Sequence, residues 1–292
     1  MIVVQQMGGL GNQMFQYAAA RSLSVRLKED LALDVSAYAV SKMHQGFELL
    51  RIFNIQPEIA EYPDIEDILG LQAYPVLRKI MKYPVFAALR NKSWVIEPDF
   101  NYWEGIQGIA GPCYLSGYWQ SEKYFTDIEE VIRKEFAFKK PMQGANALLA
   151  GKMSSENSIS LHVRRGDYLV SPKFNAVHGV CSLEYYRAAL QYLVARIMNP
   201  VVYVFSDDLP WVRENMRLEC PHVYVDQNPG ESSYIDMQLM SHCRHHIIAN
   251  SSFSWWGAWL NANPDKIVVA PEKWFANGRR VPDLIPTGWI KI

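Results

Sequence analysis

The chain has 292 residues, of which 49% are hydrophobic and 20% charged, with 29 Lys and Arg against 30 Asp and Glu. This composition is typical of a globular protein and excludes a disordered or fibrous chain. The net charge of −1 gives no support for binding nucleic acid or a membrane through bulk charge, so any basic site must be local. At roughly 150 residues per domain, the length allows one large domain or two medium ones.

The cysteines and two uncharged stretches indicate the cellular compartment of the protein. Four cysteines are too few for a disulfide scaffold and fit a reducing compartment. Residues 1–20 lack charge, but they also lack the basic start and unbroken apolar run of a signal peptide. Residues 245–264 lack charge too, but their serines and asparagines make a poor membrane span. We therefore expect a cytoplasmic protein with no integral membrane segment, and peripheral contact with the inner membrane stays open.

The first half of the chain opens with a βαβ pattern. Residues 2–5 predict a buried strand, a glycine turn follows at 8–11, and a helix from Asn12 or Gln13 runs to about Lys28 before a strand at 31–34. A less regular stretch with several prolines comes next. The elements predicted beyond it are a helix within 64–90, a strand at 114–117 and a helix at 122–135.

The second half alternates regularly between strands and helices. Residues 139–157 are weakly patterned and turn-rich, and we expect them to include the connection between halves. The predicted strands are 159–163, 201–205, 222–225, 245–249 and 266–269, and the predicted helices are 182–198, 209–217, 232–243 and 252–262. This alternation predicts a parallel, doubly wound sheet with helices on both faces. We therefore predict two successive α/β domains, at residues 1–150 and 151–292.

An arginine motif follows the first strand of the second half. It reads Leu161-His162-Val163-Arg164-Arg165-Gly166-Asp167. His162 and Arg164 share one face of the strand and lie at its carboxyl end, where open α/β sheets bind ligands. The planar fork of Arg164 suits a phosphate or carboxylate. The alternative interpretation is structural, with Arg165 and Asp167 forming an ion pair at a turn.

Two acids follow the next strand. In Phe205-Ser206-Asp207-Asp208-Leu209-Pro210, one acid is expected to cap the following helix, and Pro210 fits the first turn of that helix. The other acid would project into the crevice, where it can accept hydrogen bonds from a base such as guanine. A two-carboxylate metal site is the alternative. We predict no metal, because neither an Asp-x-Asp pair nor a third ligand is evident.

A serine-rich helix start forms the third motif. It reads Asn250-Ser251-Ser252-Phe253-Ser254-Trp255-Trp256-Gly257-Ala258-Trp259. The N–H groups of a helix N-terminus bind pyrophosphate well, while N-capping by Ser251 or Ser252 is the structural alternative. The three tryptophans are expected in the core, with a sugar-pocket wall at Trp255 or Trp256 as the alternative. Together, the three strand ends describe a nucleoside diphosphate site.

The glycine turn of the first half supports a second interpretation. In Gly8-Gly9-Leu10-Gly11-Asn12-Gln13-Met14, the pair Gly9 and Gly11 resembles a dinucleotide fingerprint, but Met14 replaces the third glycine. Asp34 stands where such a fingerprint places the acid that holds a ribose. An NAD(P)-dependent oxidoreductase is therefore an alternative function. A glycan-binding module without catalysis is another, suggested by nine Trp and 13% aromatic residues.

Taken together, the four motifs resemble the α-1,2-fucosyltransferases of glycosyltransferase family 11 in their soluble bacterial form. The matching segments are Gly8–Tyr17, His162–Asp167, Phe205–Asp208 and Ser251–Gly257, with Phe47–Leu49 and Gly117–Gln120 as further family segments. The resemblance spans most of the chain. The membrane anchor of the animal members is missing, which indicates a bacterial cytosolic enzyme.

The resemblance implies an α/β fold of the GT-B type, with two Rossmann-like doubly wound domains facing a cleft. Residues 1–150 would bind the acceptor, and residues 151–292 would bind GDP-β-L-fucose. Fucose would pass with inversion to the 2-hydroxyl of a terminal β-galactoside, as in O-antigen synthesis, with no metal or cofactor. Whether that acceptor is free or lipid-linked stays open. No nucleic acid partner is expected.

The resemblance also assigns roles within the site. Arg164 would hold the donor pyrophosphate and stabilise the departing GDP, while His162 and one of Asp207 or Asp208 would position the guanosine. Asn12 would contact fucose or the acceptor. Asp167 is a candidate base, unless it orients Arg164 or Arg165, and Glu48 is a remote alternative. The remaining donor contacts are expected at Arg165, Ser251, Ser252, Phe253, Ser254, Gly9 and Gly11.

Overall fold

The computed structural model describes residues 1–40, 45–170 and 172–292. The chain divides into two compact units, Met1–Lys139 (unit 1) and Lys140–Ile292 (unit 2). The predicted boundary after residue 150 lies too far along the chain. Residues 144–155, expected to be part of an irregular connection, form a helix whose Ala150 and Met153 pack into the core of unit 2.

Unit 1 contains one parallel sheet with helices around it. Its described strands are β1 (Ile2–Gln5), β2 (Leu31–Asp34), β3 (Glu58–Ile59), β4 (Trp94–Ile96) and β5 (Cys113–Ser116). Its described helices are α1 (Leu10–Leu27), α2 (Ala37–Val40), α3 (Leu49–Ile52), α4 (Tyr62–Leu69), α5 (Pro75–Met81) and α6 (Glu129–Glu135). The sheet order is β3-β2-β1-β5-β4.

The pattern of unit 1 is partly as predicted. The strands at 2–5 and 31–34 are confirmed, and the third predicted strand is β5, shifted by one residue. Helix α1 begins at Leu10 rather than Asn12 or Gln13, because Gly9 takes the extended N-cap conformation. The helix predicted at 122–135 is broken, and two 3₁₀ turns at 122–124 and 126–128 precede α6.

Unit 2 contains a second parallel sheet. Its described strands are β6 (Ser158–Val163), β7 (Val201–Ser206), β8 (His222–Tyr224), β9 (His245–Ile247), β10 (Val268–Ala270) and β11 (Ile290–Lys291). Its described helices are α7 (Gly144–Ser155), α8 (Gly166–Val170), α9 (Pro172–His178), α10 (Leu183–Val194), α11 (Leu209–Asn215), α12 (Tyr234–His242) and α13 (Ser252–Leu260).

The strand order of unit 2 determines where a ligand can bind. The order is β11-β10-β9-β6-β7-β8, so the chain winds outward from β6 in one direction and from β9 in the other. This is the doubly wound order of a dinucleotide-binding sheet, and ligands of such sheets bind at the carboxyl ends of the two strands where the winding reverses. In unit 2 those strands are β6 and β9.

Helices cover both faces of the unit 2 sheet, as the buried strands predict. On one face, Leu161 and Val204 pack against Ala189 and Leu193 of α10. Residues on the opposite face of the same strands pack against α7 and α12, as Tyr203 does. Alternate residues of a strand point to opposite faces of the sheet. This alternation places His162 and Arg164 on the face opposite to α10.

The sequence predicts that no segment of the chain spans a membrane. In the ranges described, every helix falls short of the length and apolarity that a membrane span requires.

Close packing between α12 and α13 makes unit 2 sensitive at Gly257. A Cβ atom there would lie 2.9 Å from the Cβ of Met240, so Gly257→Ala should lower the free energy of unfolding by about 1–3 kcal/mol. The matched control is Gly151→Ala in α7, where no atom lies within 4 Å of the added methyl. That variant should gain about 0.5–1 kcal/mol, because glycine weakens a helix. Urea unfolding measures both, and shifts of equal sign would contradict this packing.

Candidate functional site

The three polar motifs of unit 2 lie at one edge of its sheet. Strands β9, β6 and β7 are neighbours, and the loop that follows each of them carries one motif. The structure therefore brings the arginine motif, the paired acids and the serine-rich helix start together at the carboxyl ends of adjacent parallel strands.

Arg164 forms an ion pair with Asp207 at the centre of this edge. Its Nη1 lies 3.2 Å from Asp207 Oδ2, and each side chain is about a quarter exposed. The same carboxylate accepts hydrogen bonds from the backbone N–H of Arg165 at 2.9 Å and of Gly166 at 3.0 Å. A Cβ on Gly166 would come 2.7 Å from Asp207 Oδ2, so a side chain at this position would push the carboxylate aside. The guanidinium also lies 5.7 Å from the centre of the Tyr168 ring.

These contacts correct the expected role of the second acid. The acid that does not cap the helix was expected to project into the crevice. In the structure, Asp207 instead binds the loop after β6 and the guanidinium of Arg164. Its oxygens thereby fix the position of the arginine.

Asp208 is the capping acid. Its Oδ1 accepts from the backbone N–H of Trp211 at the start of α11. Its Oδ2 lies 3.2 Å from Nε of Arg165, whose guanidinium lies 3.5 Å from the centre of the Trp211 ring. Arg165 therefore pairs with Asp208, where an Arg165–Asp167 pair was the alternative. Asp167 lies in α8, and its side chain is outside the described part of the chain.

His162 is a buried, neutral histidine beside this ion pair. Only 5% of it is exposed, and its ring centre lies 5.9 Å from that of Phe253. Among the described residues, its Nδ1 has no hydrogen-bond partner. Burial, aided by the charge of Arg164, lowers the pKa of His162 to about 3. The imidazole is therefore uncharged at neutral pH and able to donate or accept one further hydrogen bond.

The serine-rich segment forms the N-terminus of α13. Ser251 caps the helix by accepting from the N–H of Phe253 at 3.3 Å. Ser254 donates its hydroxyl to the Ser251 carbonyl, and both serines are buried. Tyr168 donates to the Asn250 carbonyl at 3.1 Å and so joins the arginine motif to this turn. Ser252 begins the helix, whose positive dipole end lies at this edge.

The tryptophans of α13 belong to the core, as predicted. Trp255, Trp256 and Trp259 are buried, and Trp255 Nε1 donates to the Leu284 carbonyl at 2.9 Å. Because Trp255 and Trp256 have no exposed surface, neither forms the wall of an open sugar pocket.

A buried polar pair beyond β8 has no motif in the sequence. Buried Asn228 donates to Asp236 Oδ1 at 2.7 Å, and Asn146 of α7 donates to Asn228. Burial raises the pKa of Asp236 to about 7, although the hydrogen bond from Asn228 acts in the opposite direction. These residues come from three separate segments without a shared motif. The only local signal is the Asn-Pro-Gly turn at 228–230.

The glycine turn of unit 1 follows β1. Gly8 has φ +77°, and a Cβ there would lie 2.5 Å from Asn12 Nδ2. Asn12 accepts from Gln120 Nε2 at 2.7 Å, which ties the first turn of α1 to the segment after β5. Gln13 is fully buried; its side chain donates to the Gly46 carbonyl and accepts from the Glu48 N–H, so it is not available to a sugar. Gly9 and Gly11 lie at the start of α1, and their donor contact stays a prediction.

Asp34, the acid that would hold the ribose in a dinucleotide site, is hydrogen-bonded within unit 1. Asp34 is buried and accepts from the Tyr114 hydroxyl, from Arg78 Nη1 at 2.9 Å and from the Ser36 N–H at 2.9 Å. Burial opposes its ionisation, but the hydrogen bonds from Ser36 and Tyr114, together with the charge of Arg78, lower the pKa of Asp34. It is a structural carboxylate with no oxygen exposed to a ribose, which argues against an NAD(P) site.

Glu48, the remote candidate for the base, is also paired. Its Oε1 accepts from Arg51 at 2.8 Å, and only 4% of the residue is exposed. As for metals, the described residues contain no group of three or more His, Cys, Asp or Glu that could hold an ion.

Solved structures identify the class of fold. NodZ α-1,6-fucosyltransferase from Bradyrhizobium superposes with a TM-score of 0.55 at 16% identity, covering 89% of this chain and 92% of NodZ; that crystal was soaked with GDP-fucose. Two parallel α/β units in one chain, with the strand order described above, are those of the GT-B glycosyltransferases. The predicted fold class is confirmed.

The chain belongs to glycosyltransferase family 11, whose family pattern matches residues 1–292. It is 35% identical to an Escherichia coli α-1,2-colitosyltransferase, over 100% of this chain and 98% of that protein. It is 36% identical to the E. coli O-antigen biosynthesis glycosyltransferase WbnK, over 98% of both chains. Galactoside α-(1,2)-fucosyltransferase 1 of Plecturocebus brunneus is 31% identical over 90% of this chain and 66% of its own length. The protein is therefore a glycosyltransferase of the fucosyltransferase type.

The buried imidazole of His162 should make folding pH-dependent. As the pH falls below 6.5, the ordinary pKa of histidine, the unfolded chain binds a proton that the folded protein refuses until about pH 3. His162 therefore removes about 1.4 kcal/mol of stability for each pH unit in this window. His162→Gln should lose correspondingly less stability on acidification. Urea unfolding at neutral pH and at two lower values in the window measures the difference, and parallel profiles would contradict the assigned burial.

Proposed function

We propose that the protein is an inverting α-1,2-fucosyltransferase that moves L-fucose from GDP-β-L-fucose to the 2-hydroxyl of a terminal β-galactose in a surface glycan. The names of its relatives support an α-1,2 linkage, an O-antigen product and a galactoside acceptor. GDP-fucose was soaked into NodZ, which shares the fold. Because one relative is named a colitosyltransferase, we consider GDP-colitose as the competing donor.

The position of Arg164 carries this proposal. It follows the strand at which the winding of the unit 2 sheet reverses, opposite the N-terminus of α13. A guanidinium fork binds diphosphate oxygens in a bidentate manner, and the positive end of a helix dipole attracts the same group. Its pairing with Asp207 holds the fork in place before the donor arrives.

The reaction we propose is a single displacement with a loose transition state. The acceptor 2-hydroxyl oxygen forms a bond to C1 of fucose while the bond from C1 to the β-phosphate oxygen breaks. Negative charge then develops on the departing GDP, where Arg164 and the start of α13 stabilise it more strongly than in the ground state. No metal is needed for this step.

The proton of the acceptor hydroxyl is the remaining requirement. Glu48 is bound to Arg51, so it is a poor candidate for the base. Asp167 stays the candidate by its place in the arginine motif. Because GDP is a good leaving group, the hydroxyl need not be ionised in advance, and its proton can leave late in the displacement.

In this site, the neighbouring side chains position the donor. Neutral His162, with one ring nitrogen unsatisfied, would hydrogen-bond the nucleoside. Asp208 and Arg165 would hold the adjacent loop in place. Separately, in unit 1, Asn12, which accepts from Gln120, is proposed as a contact of sugar hydroxyls.

A product assay tests the reaction. The wild-type protein is incubated with lactose and either GDP-fucose or GDP-colitose, with and without EDTA, and the products are identified by mass spectrometry. We expect 2′-fucosyllactose, formed at a rate that EDTA leaves unchanged. If only GDP-colitose gave a product, the donor would be GDP-colitose and not GDP-fucose. Failure with every β-galactoside tried would contradict the acceptor, and loss of activity in EDTA would contradict a reaction without metal.

The variant Arg164→Lys tests whether the bidentate geometry of the guanidinium is needed in addition to its positive charge. A lysine keeps the positive charge but loses the bidentate geometry, so kcat should fall by about 10²–10³-fold. The matched control is Arg213→Lys, because Arg213 pairs with Asp226 on the exposed surface of the same unit. Surface pairs contribute little, so this variant should keep wild-type turnover. Steady-state kinetics with both variants decides the role, and a wild-type rate for Arg164→Lys would contradict it.

A further inference from the structure

A short segment of unit 1 exposes an unusual number of apolar side chains. Nearly half of the large apolar side chains that the described residues expose lie between positions 71 and 89. Leu71, Val76, Val85 and Leu89 are 72%, 72%, 81% and 67% exposed. Neither α5 nor the 3₁₀ helix at 84–89 buries a single residue. We call residues 71–92 the exposed apolar surface.

This surface has a defined structure. The side chain of Gln72 donates to the Leu89 carbonyl at 2.8 Å and accepts from the Asn91 N–H at 2.9 Å. Arg90 Nε donates to the Met81 carbonyl at 3.1 Å. These bonds hold the two helical turns side by side. The segments that carry the exposed apolar side chains are therefore bound to one another.

The helical spacing directs apolar and basic side chains outward together. In and beyond α5, Val76, Lys79, Ile80 and Tyr83 follow one another at i, i+3, i+4 and i+7 and are all exposed. Residues so spaced share one face of a helix. A face of this kind is normally buried against the core of a soluble protein. Here it faces outward.

The charge of the segment is entirely positive. Residues 68–96 contain five Lys or Arg and no Asp or Glu, in a chain whose net charge is −1. Arg78 turns inward to Asp34, and Arg90 is half-buried beside Trp94. Lys79 and Lys92 are exposed, whereas the ammonium of Lys82 donates to Gln5 at 3.0 Å.

We propose that the exposed apolar surface docks on a phospholipid bilayer that contains anionic headgroups. Short apolar helices with interleaved lysines and tyrosines are typical of membrane-interface segments, where the apolar tips enter the acyl boundary and the lysines meet lipid phosphates. A protein partner fits less well, because lysine is depleted at the centre of protein interfaces.

The location of this surface gives docking a consequence. Arg78 binds Asp34 at the end of β2, and Lys82 donates to Gln5 at the end of β1 at 3.0 Å. The surface therefore lies beside the carboxyl ends of the unit 1 strands, where α/β sheets bind ligands. A glycan carried on a membrane lipid would be presented at this end of unit 1.

Sedimentation with vesicles tests the docking. The full chain is mixed with vesicles of phosphatidylglycerol and phosphatidylcholine in equal parts, or with vesicles of phosphatidylcholine alone. We expect binding to the anionic vesicles that weakens as salt is added, since salt screens the lysines. Binding to phosphatidylcholine alone should be at least about tenfold weaker, since each lysine near an anionic surface contributes roughly fivefold to affinity.

Substitutions locate the contact. Val85→Asp should lower the affinity for anionic vesicles by roughly tenfold, because it removes an inserted apolar group. Lys79→Gln should lower it by about fivefold. The matched control is Leu148→Asp in unit 2, where the side chain is 72% exposed, and it should bind like the wild type. Circular dichroism should show unchanged folding in all three, since no buried contact is lost.

Several outcomes would overturn the proposal. The wild type could fail to sediment with anionic vesicles, or Val85→Asp could bind as well as the wild type. A dimer in size-exclusion chromatography that Val85→Asp dissociates would assign the surface to a second copy of the chain. Vesicle binding needs neither donor nor acceptor. Its failure would therefore leave the proposed transfer reaction untouched, and a failed transfer assay would leave the docking untouched.

Discussion

The ion pair between Arg164 and Asp207 is the interaction on which the candidate site depends. One carboxylate binds the guanidinium and two backbone N–H groups of the following turn, so the side chain and its loop are fixed together. The pair is about a quarter exposed, which lowers the desolvation cost of holding the charge. Electrostatic catalysis requires donors that are already in place when charge develops. Gly166 leaves room for this carboxylate, because a Cβ there would lie 2.7 Å from Asp207 Oδ2 and push it aside.

Much of the fold could be predicted because buried strands carry a strong sequence signal. In unit 2, apolar runs such as 159–163 and 201–205 alternate with helices, and this alternation predicts the parallel sheet. Helix α7 was missed because its outward and inward positions differ little in polarity and only Ala150 and Met153 are buried. For the 71–92 segment, the sequence predicts a helix within 64–90, and α5 lies there, but it does not predict that the apolar side chains are exposed. The exposed apolar face of this segment has a helical period, but burial depends on tertiary packing that no local pattern determines.

The candidate site, like the fold, could be predicted from the sequence only in part. Polar residues at the ends of neighbouring strands are visible in the sequence, because parallel strands align their carboxyl ends. The sequence could not tell which acid caps α11, and it is Asp208. Nor could it show that Asp34 and Gln13 are consumed by internal hydrogen bonds, since their partners Tyr114 and Glu48 lie far along the chain. No sequence motif joins Asn228 to Asp236, and their further partner Asn146 lies in a distant segment.

The location of bound GDP tests this account most directly. A crystal structure of the protein with GDP should place a β-phosphate oxygen within about 3 Å of the Arg164 guanidinium, a hydrogen-bonding distance, at the carboxyl ends of β6 and β9. The guanine base should lie on the side of His162 and β7. GDP bound instead at the Gly8–Gly11 turn of unit 1, with no contact to Arg164, would contradict the central claim.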